Sequence, residues 1–233
     1  MKFVNLNNIT NVKLNSEPFD HVVIDNFLND EYLKYFLEEL DKLKPEYSYY
    51  NGNPEIEKTK KAFKNNLSEF INLIFKELCS DKFIEILEKI TGINGIIRNN
   101  INLEGAGIHK VYNKGFLTMH KDFNNTLDST YGLIDRRINL LLYMNPIWKD
   151  EFNGHLCLYD NDKQMITKKI LPILNRCVIF NTTDSIHGHP EPMNLPDGIC
   201  RQSLALYYYT KNTTGLSVNG KELSPVQWYF NIK

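Results

Sequence analysis

The hydrophobic period changes near residue 95, and that change constrains the fold more than any other feature of the chain. Before it, apolar residues recur at helical spacing. Leu33, Phe36, Leu37, Leu40 and Leu43 share one face, with Asn29 or Asp30 placed to cap the helix start. Residues 61–79 resume that spacing, and residues 80–92 repeat it with Ser80 or Asp81 as cap and Gly92 as stop. After it come short runs of period 2 at residues 107–113, 115–122, 136–145, 154–160, 168–173, 176–182 and 201–210, separated by Gly, Asn, Asp and Pro. Strands that follow helices rather than alternate with them predict α+β. Seven or eight short strands predict a sandwich or jelly roll carrying helices on one side. The expected organisation is a single domain, 1–233: helical support over 1–94, a strand-rich core over 95–210, and an extension over 211–233. That extension should pack on the core, because Trp228, Tyr229 and Phe230 are costly to expose.

Bulk properties exclude several partners. The chain has 233 residues, a formal net charge of -1 and a pI near 6.6, so it lacks the basic footprint of a nucleic-acid or anionic-membrane binder. Lys58, Lys60, Lys61 and Lys64 stand beside Glu55 and Glu57 and read as a solvated helix face. No apolar run reaches the roughly 18 residues of a spanning helix, and the N-terminal stretch lacks a signal-peptide core. Cys79, Cys157, Cys177 and Cys200 have no CxxC spacing and suit free thiols. The expectation is a cytoplasmic protein with no nucleic-acid and no membrane partner, its oligomeric state open.

The chemistry gathers on three segments. His120 and Asp122 are two apart in an apolar, strand-like run, and so share a face. His187 and His189, also two apart, follow the apolar run 177–180. Either could join the first pair if the two segments face one another. Two imidazoles and a carboxylate on a triangular face make the ligand set of non-haem Fe(II) oxygenases. Fourteen residues after His187, Arg201 opens the last strand with Ser203 on its face, an arrangement suited to gripping a carboxylate. Together these fit an enzyme that chelates Fe(II) with a 2-oxo acid while holding the acid's far carboxylate.

These segments resemble the prolyl 4-hydroxylase-like branch of the Fe(II)/2-oxoglutarate-dependent dioxygenases. Residues 111–124 resemble that family's Tyr…Gly…His-x-Asp segment, and residues 136–160 its Tyr-Leu-Asn strand, Trp and Gly-Gly turn. Residues 171–192 resemble its Pro…Arg…Phe…His-Gly-x-Pro segment, and residues 200–210 its closing Arg-x-Ser strand. The resemblance implies a double-stranded β-helix (jelly roll) with N-terminal supporting helices. It implies His120, Asp122 and His187 as iron ligands, His187 being preferred over His189 because it directly precedes Gly188. It implies Arg201 and Tyr143 at the C5 carboxylate of 2-oxoglutarate, and Tyr112 lining the same pocket. Asn139 and Ser203 face that cavity if strand alternation holds. The implied co-substrates are 2-oxoglutarate and O₂, with ascorbate as an accompanying reductant. The implied reaction is hydroxylation, with decarboxylation to succinate, of a prolyl residue in a protein or peptide.

One departure is His155 where the family's turn has a second Gly, which makes His155 a rival ligand. Position 207 is Tyr, where the superfamily's nucleic-acid demethylases carry a second Arg. His109 is a candidate substrate-side group or a core histidine. Arg136 and Arg137 are candidates for substrate recognition or a solvated strand entry. Residues 123–135 are expected to form a mobile loop at the substrate mouth, and residues 49–60 a second lid. Alternatives are a hydroxylase of a free amino acid or other small metabolite, a non-catalytic jelly-roll sensor, and a cupin-like metal isomerase.

Overall fold

The computed structural model describes residues 1–43, 60–63, 65–98, 106–212 and 226–232. The helical part runs α1 (Leu6–Thr10), β1 (His21–Ile24), α2 (Leu33–Lys42), β2 (Lys60–Phe63), α3 (Glu69–Leu78) and α4 (Asp81–Thr91). The strand-rich part runs β3 (Gly107–Val111), β4 (Leu117–Lys121), β5 (Asn125–Asp128), β6 (Gly132–Tyr143), β7 (Leu156–Asp160), β8 (Met165–Ile170), β9 (Arg176–Asn181), β10 (Ile186–His189), β11 (Arg201–Lys211) and β12 (Gln227–Trp228).

Two antiparallel sheets form the double-stranded β-helix. The larger has the order β1-β9-β6-β11-β3-β2, with β5 paired to β6; the smaller has the order β12-β4-β10-β7-β8. Alternation along β6 divides the molecule. Leu140 and Leu142 point to the helices, joining Ile108, Leu204 and Leu206 against Phe36, Leu40, Ile74, Phe75, Phe83 and Leu87. Leu141 and Tyr143 point the other way, with Val178 and Phe180, toward Leu156 and Leu158 of the smaller sheet. The helices therefore brace one face of the larger sheet and leave its other face to build a site.

Local chemistry explains the boundaries. Ser68 and Ser80 cap α3 and α4, each side-chain oxygen accepting from the backbone N–H three residues on, at 3.3 Å. Gly92, at φ 71°, ends α4 in the left-handed conformation.

Several expectations are corrected. Neither Asn29 nor Asp30 caps α2 with its side chain. A 3₁₀ turn over Asp30–Tyr32 comes first, and the Asn29 amide donates instead to the Lys2 carbonyl at 2.8 Å. Residues 60–63 are a strand and not part of a helix, because pairing of Ala62 with His109 and Phe63 with Ile108 outweighs their helical spacing. Residues 125–135 are a hairpin: β5 pairs with the start of β6, and Asp128 Oδ1 accepts from the N–H groups of Thr130 and Tyr131 to close the turn. The proposed lid over 49–60 lies outside the described residues except for its last position. No helix among the described residues is long and apolar enough to cross a membrane.

Candidate active site

β4 and β10 are adjacent in the smaller sheet, and His120 and His187 are direct cross-strand partners. Their ring centroids stand 4.5 Å apart. Gly188 makes this approach possible. A Cβ there would come within 2.8 Å of the Leu117 carbonyl oxygen and 2.9 Å of that of Thr118. Asp122 follows β4 and reaches between the two rings, with Oδ1 3.5 Å from His120 Nε2 and Oδ2 3.4 Å from His187 Nε2. One ligand atom from each of the three residues lies within 4.8 Å of the others.

The two rings are held in the tautomer a metal needs. His120 Nδ1 lies 2.8 Å from the Thr118 carbonyl and His187 Nδ1 3.3 Å from that of Ser185. A carbonyl can only accept, so Nδ1 carries the proton and the Nε2 lone pair faces Asp122. Burial pushes the His187 pKa down to about 3, against the pull of Asp122, which keeps the ring neutral and able to donate its lone pair. Burial alone would raise Asp122. The Arg136 guanidinium reverses that and holds the carboxyl well below the usual carboxylate range.

Arg136 is the residue that sequence reasoning placed least well. It is buried, and Nη2 lies 2.9 Å from Asp122 Oδ2. Nε and Nη2 also donate to Asn139 Oδ1 at 2.9 and 2.7 Å, while Asn139 Nδ2 donates to Asp122 Oδ2 at 2.8 Å. The guanidinium carbon sits 3.5 Å from the Tyr207 ring centroid and 4.7 Å from that of Phe123. Strict alternation back from Tyr143 and Asn139 would put Arg137 on this face. An irregularity in the β6–β11 register, between Tyr208 and Tyr209, turns Arg136 inward instead. Asn139 and Tyr207 are thus bound up with Asp122 and Arg136.

The other end of the cavity is built on the larger sheet. Arg201 opens β11, donating from Nε to the Gly154 carbonyl at 2.8 Å and from Nη2 to the Tyr143 hydroxyl at 3.2 Å. Gly154 has φ 72°, and a Cβ there would stand 2.8 Å from Met193 Sδ. Burial pushes the Tyr143 hydroxyl pKa up, against Arg201, so it remains a protonated donor. Among the described residues Arg201 has no carboxylate partner, although it is buried. A guanidinium removed from water and left without an internal anion is a receptor for an external one. The space between the two ends is about 90 Å³ and is lined by the triad, Arg201, Ser203, His109 and their neighbours.

The other candidates separate cleanly. Val111, paired with Arg201, lines the cavity; Tyr112 follows it and, like Tyr143, does not border the open space itself. His109 does line it, opposite Ser203 on the paired strand. His189 lines the cavity too, but the register shifts after His187, so His189 pairs with Leu117 and is not in the converging group. His155 faces an outer cleft, 2.9 Å from Asp150 Oδ1. At the described end of the extension Trp228 lies over His120 with ring centroids 5.0 Å apart, but Trp228 is 38% and Phe230 71% exposed, so the aromatic cluster is not buried as a whole.

Comparison with known proteins agrees with this geometry. Residues 106–209 match the 2OG-Fe(II) oxygenase superfamily. The chain is 27% identical over 209 residues to prolyl 3-hydroxylase OGFOD1 of Mus musculus, a match covering 87% of this chain. It spans about a third, 35%, of the length of that relative. Among solved structures it resembles a Trichoplax adhaerens prolyl hydroxylase in complex with a hypoxia inducible factor peptide fragment. There the TM-score is 0.56 at 19% identity, covering 82% of this chain and 83% of that one. HygX from Streptomyces hygroscopicus, with nickel and 2-oxoglutarate bound, gives 0.55 at 13% identity, covering 83% of both chains.

Proposed function

We propose, from the match of residues 106–209 to the 2OG-Fe(II) oxygenase superfamily, that this chain is an enzyme of that kind and hydroxylates a prolyl residue of a protein or peptide. The observation that carries the oxygenase part is the convergence of His120, Asp122 and His187, with ligand atoms inside 4.8 Å of one another. The support for a prolyl substrate is the match to a prolyl 3-hydroxylase along most of this chain.

The family implies Fe(II) and 2-oxoglutarate, and the residues present fit both. Two imidazoles and one carboxylate converging within 4.8 Å are a donor set that would hold Fe(II). With O₂ this group would supply oxidative decarboxylation of 2-oxoglutarate to succinate and transfer of an oxygen atom to a C–H bond. The chain's own contribution is orientation. His120 and His187 keep their lone pairs on the site through Nδ1 bonds to Thr118 and Ser185. Arg136 and Asn139 keep Asp122 ionised and fixed. Arg201 and the Tyr143 hydroxyl take the distal carboxylate, and burial strengthens that contact by excluding water. Ser203 and His109 line the co-substrate side.

The test is product analysis. The protein is incubated with Fe(II), ascorbate, 2-oxoglutarate and O₂ against a panel of proline-containing peptides. The expected result is a gain of one oxygen atom on proline, with succinate formed in equal amount. Succinate formed with a free amino acid or other metabolite, and with none of the peptides, would replace the prolyl reading by that of a small-molecule hydroxylase.

A further inference from the structure

Three adjacent strands of the larger sheet place three polar side chains in one row. Ser203 pairs with Tyr143 of β6 on one side and with His109 of β3 on the other. Side chains directly opposite on paired strands project from the same face. The residues flanking His109 turn the other way: Ile108 packs in the core against the helices, and Lys110 donates to the Leu40 carbonyl at 2.7 Å. His109 is therefore aimed into the cavity, which it lines together with Ser203 and Arg201. The row lies at the Arg201 end. Arg201 is two residues from Ser203 on β11, and its Nη2 donates to the Tyr143 hydroxyl at 3.2 Å. Tyr207 pairs with Asn139, whose amide holds Asp122, four residues further along β11 from Ser203. At the rise of a strand that is about 13 Å. His109 thus belongs to the end of the cavity remote from the row that anchors Asp122.

We infer that His109 donates a hydrogen bond to the distal carboxylate of the bound 2-oxo acid, from the side of Ser203 opposite Tyr143. This rests on the 2-oxoglutarate reading above. Neighbouring strands stand about 4.8 Å apart, so Tyr143 and His109 rise from backbones about 10 Å apart with Ser203 between them. A carboxylate seated above Ser203 is flanked by both. It offers about four acceptor positions. Arg201 spends Nε on the Gly154 carbonyl, so the rest of its fork and one hydroxyl leave part of the carboxylate for another donor. An imidazole carries an N–H in either neutral tautomer and two when protonated, so it can donate in every protonation state. In a cavity closed to water, an acceptor position left unmet is costly. His109 therefore helps the site distinguish a 2-oxo acid that ends in a carboxylate from one that ends in a methyl group.

The test is a titration without oxygen, read by the visible band of the Fe(II)–2-oxo-acid complex. 2-Oxoglutarate is compared with 2-oxopentanoate, which has the same 1-carboxylate, keto group and chain length but ends in a methyl group. His109→Leu removes the donor at similar volume, His109→Ala removes it and leaves space, and His109→Gln puts an N–H back. His109→Leu and His109→Ala should each raise the 2-oxoglutarate requirement about tenfold, as loss of one hydrogen bond to a charged group does. The 2-oxopentanoate requirement should not change, which also shows that the variants are folded with the metal site intact. His109→Gln should recover most of the loss. An equal loss with both acids would overturn the inference and make His109 a wall of the site. A 2-oxoglutarate requirement unchanged in His109→Leu and His109→Ala would overturn it as well, and a raised peptide KM beside it would move His109 to the substrate. A wild type that gives no band with 2-oxoglutarate would overturn it through the 2-oxoglutarate reading itself. The failures are distinct, because only the last one removes the wild-type band.

Discussion

Arg136 and Arg201 both line the cavity, at 3% and 6% exposure, and differ in where their charge is met. Arg136 has Asp122 at 2.9 Å, Asn139 on the same fork, and the rings of Tyr207 and Phe123 within 4.7 Å. Arg201 has a carbonyl, a hydroxyl and one face of Tyr143, all neutral, and no carboxylate among the described residues. A buried guanidinium with an internal anion is part of the scaffold, whereas one with only neutral partners is a binding site. The β-helix thus keeps one positive charge to fix a ligand of the metal and another to receive a ligand from solution.

Substitutions should separate these two uses. The largest effect is expected from Arg136→Met, which leaves Asp122 buried without its guanidinium. Breaking such a pair costs about 3–5 kcal/mol, read as lost unfolding free energy in urea, with part of the loss recovered when Fe(II) is added. The 2-oxoglutarate requirement of the folded fraction should not change. Arg201→Ala should do the opposite: little change in the urea midpoint, but a 2-oxoglutarate requirement about 30- to 100-fold higher, the cost of truncating one side of a buried charge pair. A large loss of stability in Arg201→Ala would show that its charge is met inside the chain and erase the contrast. Gly188→Ala is next. Its methyl group meets the carbonyls of Leu117 and Thr118, so β10 must move off β4, at a cost of about 1–3 kcal/mol and weaker Fe(II) binding. The smallest effect belongs to His189→Ala, where Fe(II) affinity measured by titration should stay within about threefold, since His189 pairs with Leu117, away from the converging donors.

The same contrast marks what the sequence made legible. Arg201, Tyr143 and Ser203 lie on long strands whose alternation is regular at that point, so counting by twos puts them on one face. The pairs His120/Asp122 and His187/His189 could be read as same-face candidates. Only the register shift after His187 distinguishes its two histidines in space. Arg136 escaped because it lies past a register irregularity that reverses the count, and its partners Phe123 and Tyr207 are distant in sequence. The helices of residues 33–42, 69–78 and 81–91 were legible from their apolar faces, and Ser80 from its capping role. β2 and β12 were not, since two- to four-residue edge strands exist through pairing with β3 and β4 rather than through their own pattern. The hairpin over residues 125–135 was hidden for a similar reason: its polar residues read as loop, while continuity with β6 makes them strand.

The account rests on His120, Asp122 and His187 holding Fe(II) beside a 2-oxo acid gripped by Arg201, and one optical titration addresses that directly. Fe(II) and then 2-oxoglutarate are added to metal-free protein without oxygen, with His187→Ala, His189→Ala and Arg201→Ala alongside. The account predicts the visible charge-transfer band of a chelated Fe(II)–2-oxo-acid complex in the wild type. The band should be absent in His187→Ala, present in His189→Ala, and shifted to higher 2-oxoglutarate in Arg201→Ala. A wild type with no band at saturating 2-oxoglutarate, or a band lost in His189→Ala and kept in His187→Ala, would contradict it.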